Sequence, residues 1–258
     1  MGIKCNPLIT MHIRHLQPLI FDKYEISSSD AELAIKYLGA FFDVKIHQPN
    51  KTIILPQIAD WAWHELILDT RKYRLFCYQI FGRFLSHIKE NLTSSRRDLK
   101  AEFEHSCKFL QETYNLSDGD NPDEWKESGW GKPMYRLREP IDKVVCNTCS
   151  SFELSAIKKE HWLYQKVVTW LPLRLMQRFG LSASAAQYGV LEHIAHLISL
   201  KEIGNRAEDT SLLGELAWQE HILWTDHYTE DCNNLFGYFL HYNYRPNKRV
   251  QASQNIYQ

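Results

Sequence analysis

No apolar run in this chain approaches the 18 or more residues that a membrane span needs. Its first residues also lack the basic, apolar, small-residue order of a secretory signal. A cytoplasmic protein without a membrane span is therefore expected. Net charge is nearly absent too: 30 Lys and Arg against 31 Asp and Glu give −1 at pH 7. Nothing in that balance draws the chain to nucleic acid or to an anionic lipid surface, and no nucleic-acid partner is expected. Glycine is scarce, 11 residues without a run, and the six cysteines lie scattered at 5, 77, 107, 146, 149 and 232. In a reducing compartment these are expected as thiols, and 258 residues can bury enough core to need no disulfide. A Ser nucleophile elbow, a phosphate-binding Gly loop and a dinucleotide fingerprint are all missing, which sets aside hydrolase, kinase and Rossmann chemistry. The opening Met1-Gly2-Ile3-Lys4-Cys5 has Asn6 where myristoylation wants Ser or Thr.

What the chain does have is aromatic weight and an internal repeat. Eight Trp, 13 Tyr and 12 Phe predict aromatic cores. Residues 60–87 align without a gap on residues 215–242, at a spacing of 155. The identities are Ala62/Ala217, Trp63/Trp218, Glu65/Glu220, Ile67/Ile222, Leu68/Leu223, Thr70/Thr225, Tyr73/Tyr228, Cys77/Cys232, Phe81/Phe236, Gly82/Gly237, Phe84/Phe239 and Leu85/Leu240. Ordinary residue usage gives about one or two by chance, and rare Trp and Cys are among these pairs. Upstream, Ser29/Ser184, Ala31/Ala186 and Ile35/Val190 extend the match to a further helix.

Periodicity predicts an all-α fold of two homologous helical units, each a helix followed by a motif helix hairpin. Ala59, Trp63, Leu66, Ile67 and Thr70 form one amphipathic stripe; Tyr73, Cys77, Ile80, Phe81 and Phe84 continue it after a short turn. Gly82 is then an interior or terminal glycine. Ser28-Ser29-Asp30 supplies an N-cap before a helix over 31–42, and Ile53-Ile54-Leu55-Pro56 an extended lead into the motif helix. The expected divisions are an N-terminal segment 1–28, unit one 29–90, connecting helices and loop 91–183, unit two 184–245 and a loose tail 246–258. Within the connection, 99–114 reads as a helix, 117–139 as a loop, and 162–179 as one long apolar helix bent at Pro172.

The string Asp60-x-x-Trp63-His64-x-x-Ile67-Leu68-x-Thr70-x-x-Tyr73-x-x-x-Cys77-x-x-x-Phe81-Gly82-x-Phe84-Leu85-x-His87 resembles the signature of the glycine-rich domain-containing protein family, and the second copy, with Trp218, Tyr228, Cys232, Phe236 and Gly237, resembles it too. The resemblance covers about half the chain and implies little chemistry, since the shared region is mostly of unknown function. Many members of that family carry a Gly-rich tail, and this chain has none.

Chemistry-bearing side chains gather in two groups. Asp60 and His64, four apart on one helix, allow a carboxylate to fix an imidazole tautomer and leave the other nitrogen for a metal or a proton. Glu65 and His87 would complete a His/carboxylate set suited to Fe, Mn or Zn. The competing reading has His64 satisfied by Asp60 on a helix surface, and the second copy, with Gln219 for His64 and Tyr242 for His87, cannot bind identically. The second group is Glu192, His193 and His196 on one helix with Glu220 and His221 on the next motif helix. Leu38 and Phe41 stand where His193 and His196 would be, so those His either bind something or meet other polar partners at a core or interface. Cys146 and Cys149 are half of a zinc site or a pair of thiols in a turn. Two functions from different classes follow: a binding module for a protein or peptide partner, and a helical enzyme that uses a divalent metal ion on a small molecule.

Overall fold

Helix is the only regular structure among the described residues, 5–87, 96–116, 161–203 and 210–242 of the computed structural model. The fold is all-α. Eleven described helices fall into two compact units, unit 1 comprising the described residues 5–85, 96–116 and 241–242, and unit 2 the described residues 86–87, 161–203 and 210–240. The loop expected at 117–139, the Cys146/Cys149 pair and the expected tail lie outside the described residues.

Unit 1 contains α1 (Pro7–Ile13), α2 (Leu16–Tyr24), α3 (Ser28–His47), α4 (Gln57–Leu68), α5 (Thr70–Phe81) and α6 (Arg96–Tyr114). The cap of α3 is Ser27, one residue earlier than expected, because its Oγ accepts the Asp30 backbone N–H at 3.0 Å. Only Asp69 separates α4 from α5, and it caps α5 by accepting the Lys72 N–H at 3.2 Å. Gly82 ends α5 at φ 66, the left-handed geometry that favours glycine. Phe42 sits centrally in the core, with ring centroids 4.9 Å from Phe76, 5.8 Å from Phe81 and 5.9 Å from Trp63. The aromatic expectation is met here. Residues 7–24, expected as a leading segment, fold as two helices packed on α3 and α4.

Unit 2 contains α7 (Trp162–Val167), α8 (Leu171–Phe179), α9 (Ala183–Ile203), α10 (Leu212–Leu223) and α11 (Thr225–Phe236). The single bent helix expected over 162–179 is instead two. Proline has no N–H to donate, so Pro172 is accommodated in the first turn of α8, and residues 168–170 form a turn. The bounds of α8, α10 and α11 are those of α2, α4 and α5 shifted by 155 residues. The core is mainly aliphatic here, built from Leu163, Leu171, Leu175, Val190, Ile194 and their neighbours, with Phe179 the one buried phenylalanine among the described residues of this unit. Gly189 lets α9 approach α10 closely: a Cβ there would lie 2.8 Å from the Leu213 carbonyl oxygen.

One hydrogen-bond chain is present in both units. Trp63 Nε1–H donates to the Tyr73 hydroxyl at 3.1 Å, which donates to the Leu85 carbonyl at 2.6 Å. Trp218 donates to Tyr228 at 3.0 Å, and Tyr228 to the Leu240 carbonyl at 2.9 Å. Each chain ties the motif helix to the segment after the following helix. Tyr73→Phe leaves the Trp63 N–H and the Leu85 carbonyl without that partner in a buried setting, and is expected to cost about 1–3 kcal/mol. Urea unfolding followed by Trp fluorescence measures it, with the same loss expected for Tyr228→Phe.

Candidate functional site

In unit 1 the expected ligand residues are largely engaged by neighbours. His64 Nε2 lies 3.2 Å from Asp60 Oδ2, with the imidazole buried and the carboxylate partly exposed. Glu65, 1 % exposed, turns away from this pair toward α2, where Lys23 Nζ reaches it at 2.5 Å and the Tyr24 hydroxyl donates at 2.6 Å. His87 belongs to unit 2. Its backbone N–H donates to Thr225 Oγ1 at 2.8 Å, and its Nδ1 lies 3.0 Å from the Leu223 carbonyl oxygen. A carbonyl only accepts, so Nδ1 carries a proton.

In unit 2 the carboxylates expected as ligands are likewise occupied. Glu192 accepts the Ser211 backbone N–H at 2.7 Å together with its hydroxyl, and that same hydroxyl caps α10. Glu220, fully buried, pairs with Arg178 of α8 and lies 3.8 Å from Arg174 Nε. Lys23 and Arg178 also stand 155 apart, so both buried motif carboxylates receive a cation from the same place in the sequence pattern. The alignment carries that signal, although the sequence reading began its units downstream of both cations. His196 packs its ring on Trp218, centroids 5.1 Å apart.

What unit 2 assembles is a buried polar relay. His193 on α9 and His221 on α10, both 0 % exposed, meet Nε2 to Nδ1 at 3.0 Å. His221 Nε2 lies 3.0 Å from Asp231 Oδ2 on α11. Asp231 Oδ1 is 2.6 Å from Lys166 Nζ on α7, which also meets Glu230 at 2.6 Å. Gly189, one helical turn before His193, provides the close approach of α9 to α10 that this contact requires.

Burial, with His221 and His196 as like-charged neighbours, holds His193 well below the usual histidine range. Burial also lowers His221, against the opposing hydrogen bond to Asp231. For Asp231 burial opposes charge, but the hydrogen bonds from His221 and Lys166 prevail and its pKa falls; Lys166 rises for the complementary reason. Both imidazoles are therefore neutral, and the proton positions follow. The carboxylate must accept, so His221 carries its hydrogen on Nε2, and its Nδ1 accepts from His193 Nε2–H. The relay ends at His193 Nδ1, a buried lone pair without a hydrogen-bond partner among the described residues.

The same positions in unit 1 are Leu38, Leu66, Phe76 and Met11, the first three buried. At positions 155 residues apart, unit 1 thus buries an apolar cluster where unit 2 buries a relay. Burying such groups in place of apolar ones commonly costs stability, which marks them as candidates for function. Asp231 and Lys166 escaped the sequence reading because Asp231 shares no local motif with the histidines and Lys166 lies 65 residues away from it in sequence.

The sign of the pH dependence follows from the lowered histidines. Above the ordinary histidine value of 6.5, neither folded nor unfolded chain carries these protons. Below it the unfolded chain takes them up and the folded one resists, so unit 2 loses stability as pH falls, by at most about 1.4 kcal/mol per pH unit for each imidazole. His193→Leu, the residue type of Leu38, is expected to flatten that slope between about pH 7.5 and 5.5 in urea titrations. An unchanged slope would remove His193 as its source.

A family model described as UCP032817-like, of a family of uncharacterised proteins, matches residues 10–119. The chain is similar to that family over α2 to α6, and the relay of unit 2 lies outside the match. No curated protein and no solved structure matches the chain.

Proposed function

We propose that this chain is a tandem helical interaction module, built from two diverged copies of one unit whose motif resembles that of the glycine-rich domain-containing proteins, and that it engages a protein or peptide partner. The copies run from α1 to α5 and from α7 to α11. One observation carries the reading: the one acidic residue identical in the two motif helices is committed to a structural pair in both, Glu65 with Lys23 and Glu220 with Arg178. The common Trp, Tyr and Gly residues are committed likewise, to the Trp–Tyr–carbonyl chains and the helix ends. What the copies share builds the scaffold, and what differs between them lies free to specialise.

A second reading, the metal-dependent helical enzyme, is favoured by His193. Its Nε2–H is held by His221 and Asp231, and its Nδ1 lone pair is buried without a hydrogen-bond partner among the described residues, the orientation that a neighbouring carboxylate chain gives a metal-ligating histidine. Elemental analysis of the full chain, purified without chelator and then offered Fe, Mn and Zn, separates the two. Folded protein that holds none of these metals supports the interaction module. About one equivalent of metal, lost in His193→Leu or His64→Ala, would overturn it.

A further inference from the structure

Neither α1 nor α5 contains a carboxylate, yet both hold large apolar side chains in water. Leu8 and Met11 on α1 are 55 % and 65 % exposed; Leu75 and Tyr78 on α5 are 57 % and 50 % exposed. The two helices lie side by side, with the His12 and Phe76 rings 5.5 Å apart. On α5, Arg71, Arg74, Leu75 and Tyr78 follow the i, i+3, i+4, i+7 pattern and form the solvent stripe opposite buried Tyr73, Phe76 and Cys77. The Arg74 guanidinium lies 5.9 Å from the Tyr78 ring centroid. Arg14, just after α1, and Arg83, just after α5, are exposed as well. The apolar strip is framed by arginines.

Unit 2 shows that folding does not require such a face. Where α5 has Arg71, Arg74, Leu75 and Tyr78, α11 has Asp226, Thr229, Glu230 and Asn233, and Lys166 stands in place of Met11. The same helix spacing carries a polar, acidic surface there. An exposed apolar strip in a basic frame, present in one copy and absent from the other, is the signature of recognition rather than of architecture.

We propose that the α1/α5 face of unit 1 docks an acidic amphipathic helix of a partner protein. The partner's apolar stripe covers Leu8, Met11, Leu75 and Tyr78, and its flanking carboxylates meet Arg71 and Arg74. Two packed helices leave a groove between them that a third helix can fill, and guanidinium forks match carboxylates in bidentate geometry. Charge complementarity selects this occupant. An anionic bilayer is the poorer match, because the face offers no exposed Trp or Phe, and its single lysine, Lys72, is held by Asp69 at 2.7 Å.

The assignment rests on the interaction-module reading and is tested separately from it. The probe is a fluorescein-labelled synthetic helix with Leu and Phe at i, i+3, i+4 and i+7 and Glu elsewhere, titrated with the full chain by fluorescence anisotropy. Saturable binding is expected. The double variant Arg71→Asp with Leu75→Glu, which copies Asp226 and Glu230, is expected to weaken binding at least about tenfold while its circular dichroism and unfolding midpoint stay unchanged. Any of four results would overturn the proposal: no binding, equal binding by the variant, equal binding of a Lys-substituted peptide, or binding to phosphatidylserine vesicles in place of the peptide. A mass increase in light scattering that the variant abolishes would overturn it too, assigning the face to a second copy of the chain. Metal content moves with none of these outcomes, so failure of this face and failure of the module reading remain distinguishable.

Discussion

Glu65 and Glu220 are almost wholly removed from water, and a carboxylate in that setting holds its charge only while a cation stays beside it. Lys23 and Tyr24 supply the partners in unit 1, Arg178 in unit 2. Much else is arranged around that requirement. In unit 1 α2 must lie against α4, and in unit 2 α8 against α10, because the cations arrive on those helices. Removing one member of such a pair leaves an uncompensated buried charge, a loss on the order of 3–5 kcal/mol. The pairs therefore fix which helices are neighbours even where the surrounding apolar residues differ, as the aromatic core of unit 1 and the aliphatic core of unit 2 do.

Against that shared frame the differences between the units become interpretable. Leu38, Leu66 and Phe76 fill in unit 1 the positions that carry His193, His221 and Asp231 in unit 2. One set is satisfied by packing alone. The other needs each proton in its place, and it leaves one lone pair with no described partner. The relay thus trades robustness for a response to acidity, since its neutral imidazoles are stable only where the solvent does not drive protons onto them. Unit 1 holds its own distinctive residues on the surface instead, in the arginine-framed strip of α1 and α5.

Much of this was legible in the sequence, and the reasons are particular. The stripe through Ala59, Trp63, Leu66 and Ile67 gave the motif helix because its period is helical and its apolar face is broad. Gly82 was readable as an interior or terminal glycine, and its φ of 66 puts it at the helix end. Pro172 was visible as a perturbation, but whether a proline bends a helix or starts a new one depends on what the preceding turn packs against. The Asp60/His64 pair was readable from its i, i+4 spacing and is present at 3.2 Å. Glu192 and Glu220 were not assignable, since their partners Ser211 and Arg178 lie 19 and 42 residues away and no local pattern links them. Long-range pairing is decided by packing geometry, and here only the 155-residue offset in the sequence could have suggested it.

Thr70 and Thr225 illustrate one further consequence. Thr70 Oγ1 accepts the backbone N–H of Tyr242 at 3.1 Å, and Thr225 Oγ1 accepts that of His87 at 2.8 Å. Unit 1 is therefore finished by residues some 170 positions beyond its own threonine. On a ribosome, which releases the chain from its N-terminus, α1 to α5 can gather early, but the last hydrogen bonds of that first unit must wait until α7 to α11 have been synthesised.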